Sequence, residues 1–99
     1  MTNERTTGVP RRKLLLGAAA IQTTYGKPVM QVEYGGPLAK PTQVRDSLRA
    51  FITGLKGFGG LGTFFWEPEG YVSFSNYTSS AWDEATRRPT AALDGFLNV

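Results

Sequence analysis

The chain has 99 residues with 40% hydrophobic and 12% aromatic content, an ordinary globular composition rather than that of a disordered tail. It contains no histidine and no cysteine, which excludes a Ser-His-Asp triad, a Cys-His pair, His- or Cys-ligated zinc and any disulfide. Any catalysis must therefore rest on carboxylates, tyrosines, lysines or hydroxyls. The net charge of +3 is not spread over a face. Residues 1–27 hold five basic residues against Glu4 alone, and residues 28–99 hold six basic against seven acidic. The basic character belongs to the N-terminal segment, with no aromatic residues interleaved, so no nucleic-acid partner is expected. No run of 18 apolar residues occurs, so no membrane span is expected either.

Residues 1–13 read as a polar and basic lead-in, with Gly8 and Pro10 against regular structure. From Lys13 to Tyr25 helix formers predominate, with Leu14, Leu15, Ala18, Ala19 and Gln22 near helical spacing. Arg11-Arg12-Lys13 followed by the apolar Leu14–Ala20 also fits an export signal. The polar Gln22-Thr23-Thr24 that follows at once favours the helix. Gly26 supplies its C-terminal cap and Pro28 forbids continuation.

Val29–Glu33 reads as a short strand, apolar enough for burial on both faces of a parallel sheet. It ends in Glu33-Tyr34-Gly35-Gly36-Pro37, a carboxylate and an aromatic before turn residues. Next, Val44, Leu48, Phe51, Ile52 and Leu55 form one apolar stripe, with Arg45, Asp46, Arg49 and Lys56 opposite. This predicts a helix over 42–56, begun by Pro41-Thr42 and stopped by Gly57. A second strand, Leu61–Trp66, again closes on an aromatic and carboxylates, Trp66-Glu67-Pro68-Glu69. A long loop over residues 70–88, rich in Ser, Tyr, Asn and Trp, precedes a short helix opened by Pro89-Thr90 and carrying Ala92, Leu93, Phe96 and Leu97.

The order helix, strand, helix, strand, loop, helix is that of two βα units in tandem, an α/β class with parallel strands. The two strands are expected to be parallel neighbours joined by a right-handed crossover. Both deliver a carboxylate to the C-terminal edge, where parallel α/β sheets and (β/α)₈ barrels build their active sites. Glu33 and Trp66, each closing a strand, are expected to border one pocket. Each has a plainer reading: Glu33 as an ion-pair partner of Lys27 or Lys40, Glu67 and Glu69 as solvated loop charges, and Trp66 as core. Trp82, Tyr71 and Tyr77 read as loop packing.

The segments Tyr25-Gly26-Lys27-Pro28-Val29-Met30-Gln31-Val32-Glu33 and Gly60-Leu61-Gly62-Thr63-Phe64-Phe65-Trp66-Glu67-Pro68-Glu69 resemble the seventh and eighth strands of glycoside hydrolase family 53. These are the arabinogalactan endo-β-1,4-galactanases, retaining glycosidases built on a (β/α)₈ barrel. Ala81-Trp82-Asp83 and Arg88-Pro89-Thr90-Ala91-Ala92-Leu93-Asp94-Gly95-Phe96 are similar to that family's C-terminal segment. The resemblance covers about residues 14–99. It implies Glu33 as the nucleophile, with Trp66 lining the subsite of the attacked sugar and Glu67 beside it. It also implies a galactan substrate, no cofactor, and a secreted or periplasmic setting.

Tyr34 departs from the small or hydroxylated residue more usual in the family. The family's acid/base glutamate closes a fourth strand, which this sequence lacks; Asn3-Glu4 is no substitute, having no strand before it. The resemblance thus implies the two C-terminal βα units of a barrel, inactive alone and prone to self-association unless a partner supplies the remaining strands. The alternatives are a small carbohydrate-binding module without hydrolysis, or a remnant serving assembly.

Overall fold

A computed structural model describes residues 11–99. The Asn3-Glu4 pair and most of the expected lead-in lie outside these residues. Helix α1 spans Arg11–Tyr25, so the last three residues assigned to the lead-in are its first turn. Gly26 ends it as expected, at φ 66° with its N–H donating to Gln22 O. Strand β1 (Met30–Tyr34) runs into helix α2 (Pro41–Gly57), which has proline in its first turn. Strand β2 (Gly62–Phe65) follows.

The strands β1 and β2 pair in parallel as expected, with α2 as the connection between them. A parallel pair cannot be closed by a tight turn, so the 17-residue helix is what the topology demands. The core lies where α2 meets the sheet and α1. Its apolar stripe is the buried one: Leu48, Phe51, Ile52 and Leu55 close around Tyr34, with Leu14, Leu15 and Phe65 packed against them. Tyr34 and Phe51 stack at 5.2 Å between ring centroids. The Gln22 side chain ties the layers together, donating to Phe58 O at 2.6 Å and accepting from Val29 N at 3.2 Å.

Three expectations need correction. The strands are not buried on both faces: one is packed by α2, while Val32 is 59% and Phe64 60% exposed. Nothing among the described residues covers the second face. The loop over residues 70–88 is also not structureless. It holds a one-turn helix α3 (Val72–Ser75) and an antiparallel ladder between β3 (Trp82–Asp83) and β4 (Arg88–Pro89). The closing helix, Ala91–Phe96, is of the tighter 3₁₀ type, and Thr90 Oγ1 accepts from Ala92 N at its start.

The 3₁₀ helix seats on α2 through Gly95. A Cβ there would lie 2.7 Å from Arg45 O and 2.9 Å from Leu48 Cβ, so only glycine permits this approach. No helix among the described residues is long and apolar enough to cross a membrane.

Candidate functional site

The two strand ends meet at a cleft of about 330 Å³. Its lining combines Gln31, Glu33, Tyr34 and Gly35 from β1 and its exit, Trp66 from the end of β2, and Tyr77 and Ser79 from the following loop. Leu14 of α1 completes it. The volume is at the small end of the ~300–1,000 Å³ typical of ligand pockets, enough for one or two small rings. Glu33 and Trp66 therefore border one pocket, as their positions in the sequence predict. Trp66 N donates to Tyr34 O at 2.9 Å, extending the parallel ladder to the lip of the cleft and fixing the two ends against each other.

A register shift presents Glu33. Gln31 pairs with Thr63 and Tyr34 with Phe65, so three steps along β1 match two along β2. The alternation of faces breaks at Val32–Glu33, in the manner of a β-bulge, a feature common beside active sites because it re-aims side chains. Tyr34 turns into the core, where its hydroxyl shares a hydrogen bond of 2.6 Å with Ser47 Oγ. Glu33 is left exposed at the cleft. The Gln31 amide donates to Glu33 O across the break. Glu33 makes no salt bridge among the described residues, where the one ion pair joins Arg45 and Asp46 on the surface of α2. A plain ion-pair role with Lys27 or Lys40 thus has no contact behind it.

Trp66 is about half exposed and so is not core. It lines the cleft together with Glu33. Glu67 falls outside the cleft lining. It is exposed and carries φ 47°, a left-handed conformation that costs a non-glycine residue of order 1–3 kcal/mol. That turn swings the chain off the end of β2 immediately after Trp66. Glu69 is a solvated loop charge, accepting from Tyr71 Oη at 3.1 Å.

In the loop, Tyr71 and Trp82 pack on each other at 6.3 Å, as loop residues would. Tyr77 does not follow that reading. It lines the cleft, and its hydroxyl lies within reach of Trp66 O at 3.5 Å. Burial, then the charges of Glu67 and Glu33, push its phenol above the ordinary tyrosine range. The sequence held no signal for this beyond the loop's length and aromatic content. Among the described residues, no group of three or more acidic side chains is placed to hold a metal ion. Comparison with family models, curated proteins and solved structures found no match for the chain.

Proposed function

We propose that this chain supplies the nucleophile end of a retaining glycoside hydrolase site acting on internal β-1,4-galactosidic bonds of (arabino)galactan. One observation carries the reading: Glu33, next to last in β1, and Trp66, the first residue past β2, line the same cleft at the ends of adjacent parallel strands. In such a reaction Glu33 attacks the anomeric carbon while an acid protonates the departing oxygen. Water then releases the sugar from the covalent intermediate. Trp66 holds the attacked ring by stacking, and the rigid strand end holds the carboxylate in line.

Retention requires a second carboxyl about 5–5.5 Å from the first. Glu67, along the adjacent strand end, does not match the acid of the resembled family, and it stands outside the cleft lining. The acid therefore comes from elsewhere, and the described residues form a half-site. In line with this, the sheet formed by the described residues has two strands.

The test is an assay on β-1,4-galactan, with the chain alone and with the chain mixed with a fragment carrying the first six βα units of a galactanase. We expect no hydrolysis alone and restored hydrolysis on mixing, abolished by Glu33→Gln. Hydrolysis by the chain alone that Glu33→Gln removes would place an acid within these residues and overturn the half-site. Binding of galactan without restored hydrolysis would favour a non-catalytic carbohydrate-binding module.

A further inference from the structure

The cleft has a polar wall that neither strand supplies. Tyr77 leaves the loop after β2 and reaches back to the strand ends, and the missing side chain of Gly70 admits its ring. A Cβ at Gly70 would lie 2.7 Å from Tyr77 Cδ2, and one at Gly35 would come 3.9 Å from Tyr77 Oη. The ring is thus held by close packing at its side while its hydroxyl stays at the cleft. The bond from that hydroxyl to Trp66 O, at 3.5 Å, is at the outer limit of hydrogen-bonding distance. A well-placed acceptor from a ligand would compete with it at little cost.

From this geometry we infer that Tyr77 is a sugar-contacting residue of the cleft, its hydroxyl donating to an oxygen of the pyranose held by Trp66 and facing Glu33. The inference rests on the carbohydrate reading of the cleft. The electrostatics agree with it. Burial and the nearby Glu67 and Glu33 disfavour the phenolate, so the group stays protonated and keeps its proton to donate. A neutral donor also suits a site with a carboxylate nucleophile, because a cation there would pair with Glu33 and blunt its attack.

The experiment is calorimetric titration of the chain with β-1,4-galactotriose, for wild type, Trp66→Ala and Tyr77→Phe, with circular dichroism as the check on folding. Tyr77→Phe keeps the ring that packs on Gly70 and removes only the hydroxyl, so it should fold. We expect Trp66→Ala to abolish binding and Tyr77→Phe to weaken it by about three- to tenfold, the range for one neutral hydrogen bond. A second readout separates contact from packing: saturating trisaccharide should shift the alkaline tyrosinate transition at 295 nm, and this shift should vanish in Tyr77→Phe. If Tyr77→Phe binds within twofold of wild type while Trp66→Ala does not bind, Tyr77 only packs and the inference falls, leaving the carbohydrate reading intact. If wild type does not bind, or Trp66→Ala binds equally well, the carbohydrate reading of the cleft fails and the role of Tyr77 falls with it.

Discussion

Truncating Leu48 to alanine should cost the fold several kcal/mol, about 3–5. Leu48 has no exposed surface. It packs with Tyr34, Phe51, Ile52 and Leu55, and the 3₁₀ helix covers it so closely that a Cβ on Gly95 would stand 2.9 Å from Leu48 Cβ and Cδ2. It therefore touches β1, its own helix and the C-terminal segment together. Losing three carbons forfeits roughly 2.4 kcal/mol of transfer free energy at ~0.8 kcal/mol per methylene. The hole left behind is walled partly by backbone, which relaxes poorly, so the total should reach about 3–5 kcal/mol. Small domains have only ~5–15 kcal/mol to lose. The assay is urea unfolding by far-ultraviolet circular dichroism at fixed protein concentration, because self-association would shift apparent stability. Leu16→Ala is the control, since Leu16 is 64% exposed on α1, and about 0.5 kcal/mol or less is expected there. A loss below about 1 kcal/mol at Leu48, or equal losses at both sites, would refute the seating of the 3₁₀ helix on α2.

Two glycines should respond with opposite signs. Gly95→Ala forces a Cβ against Arg45 O and should destabilise by about 1–3 kcal/mol, whereas Gly17→Ala, in mid-α1 with nothing within 4 Å, should stabilise by about 0.5–1 kcal/mol; the same urea assay reads both. The raised phenol of Tyr77 means the folded state favours its neutral form, so its contribution persists through neutral pH and is lost as pH rises through its folded pKa. Glu67→Gln should lower that transition at 295 nm, and an unmoved transition would show that Glu67 does not act on Tyr77. Glu84 is held below the ordinary carboxylate range by hydrogen bonds from the Ser73 hydroxyl and N–H. Its latch on α3 should therefore hold above its unfolded pKa and open as pH falls through the folded value. Amide exchange at Ser73, referenced to Leu48, should accelerate there in wild type and at all pH values in Glu84→Gln.

The elements legible in the sequence are those whose physics is periodic. The stripe from Val44 to Leu55 names the buried face of α2 residue for residue. The apolar runs on either side of a 17-residue helix imply the parallel pairing of β1 and β2. The meeting of Glu33 and Trp66 follows from both lying at the C-terminal ends of parallel strands. What was not legible depends on register and on distant packing. Strict alternation puts Glu33 and Tyr34 on opposite faces but does not say that a shift between Gln31 and Tyr34 decides which one enters the core. Tyr34 belongs inside because Ser47, thirteen residues on, meets its hydroxyl. A loop tyrosine such as Tyr77 carries no spacing rule, and Gly70, which gives it room, looks like an ordinary turn residue in sequence. Glu67 follows Trp66 directly in sequence, but the left-handed turn at its own Cα, which leaves it off the cleft lining, has no sequence signature.

The side of the sheet left uncovered by the described residues bears on the proposed chemistry as well as on solubility. Parallel strands ordinarily need both faces covered, yet Met30, Val32 and Phe64 present apolar surface on the side away from α2. Among the described residues the sheet has two strands, and strand edges are templates for further strands. The cleft opens at the C-terminal end of this two-stranded sheet. On the proposed reading, any strand that pairs with either edge in parallel brings its own C-terminal end to the rim of that cleft, which is where an acid must stand to work with Glu33. Completing the sheet and completing the carboxylate pair are then one event. Restored hydrolysis should accordingly be accompanied by protection of the β1 and β2 amides from exchange, and substitution of Phe64 by serine should weaken both together.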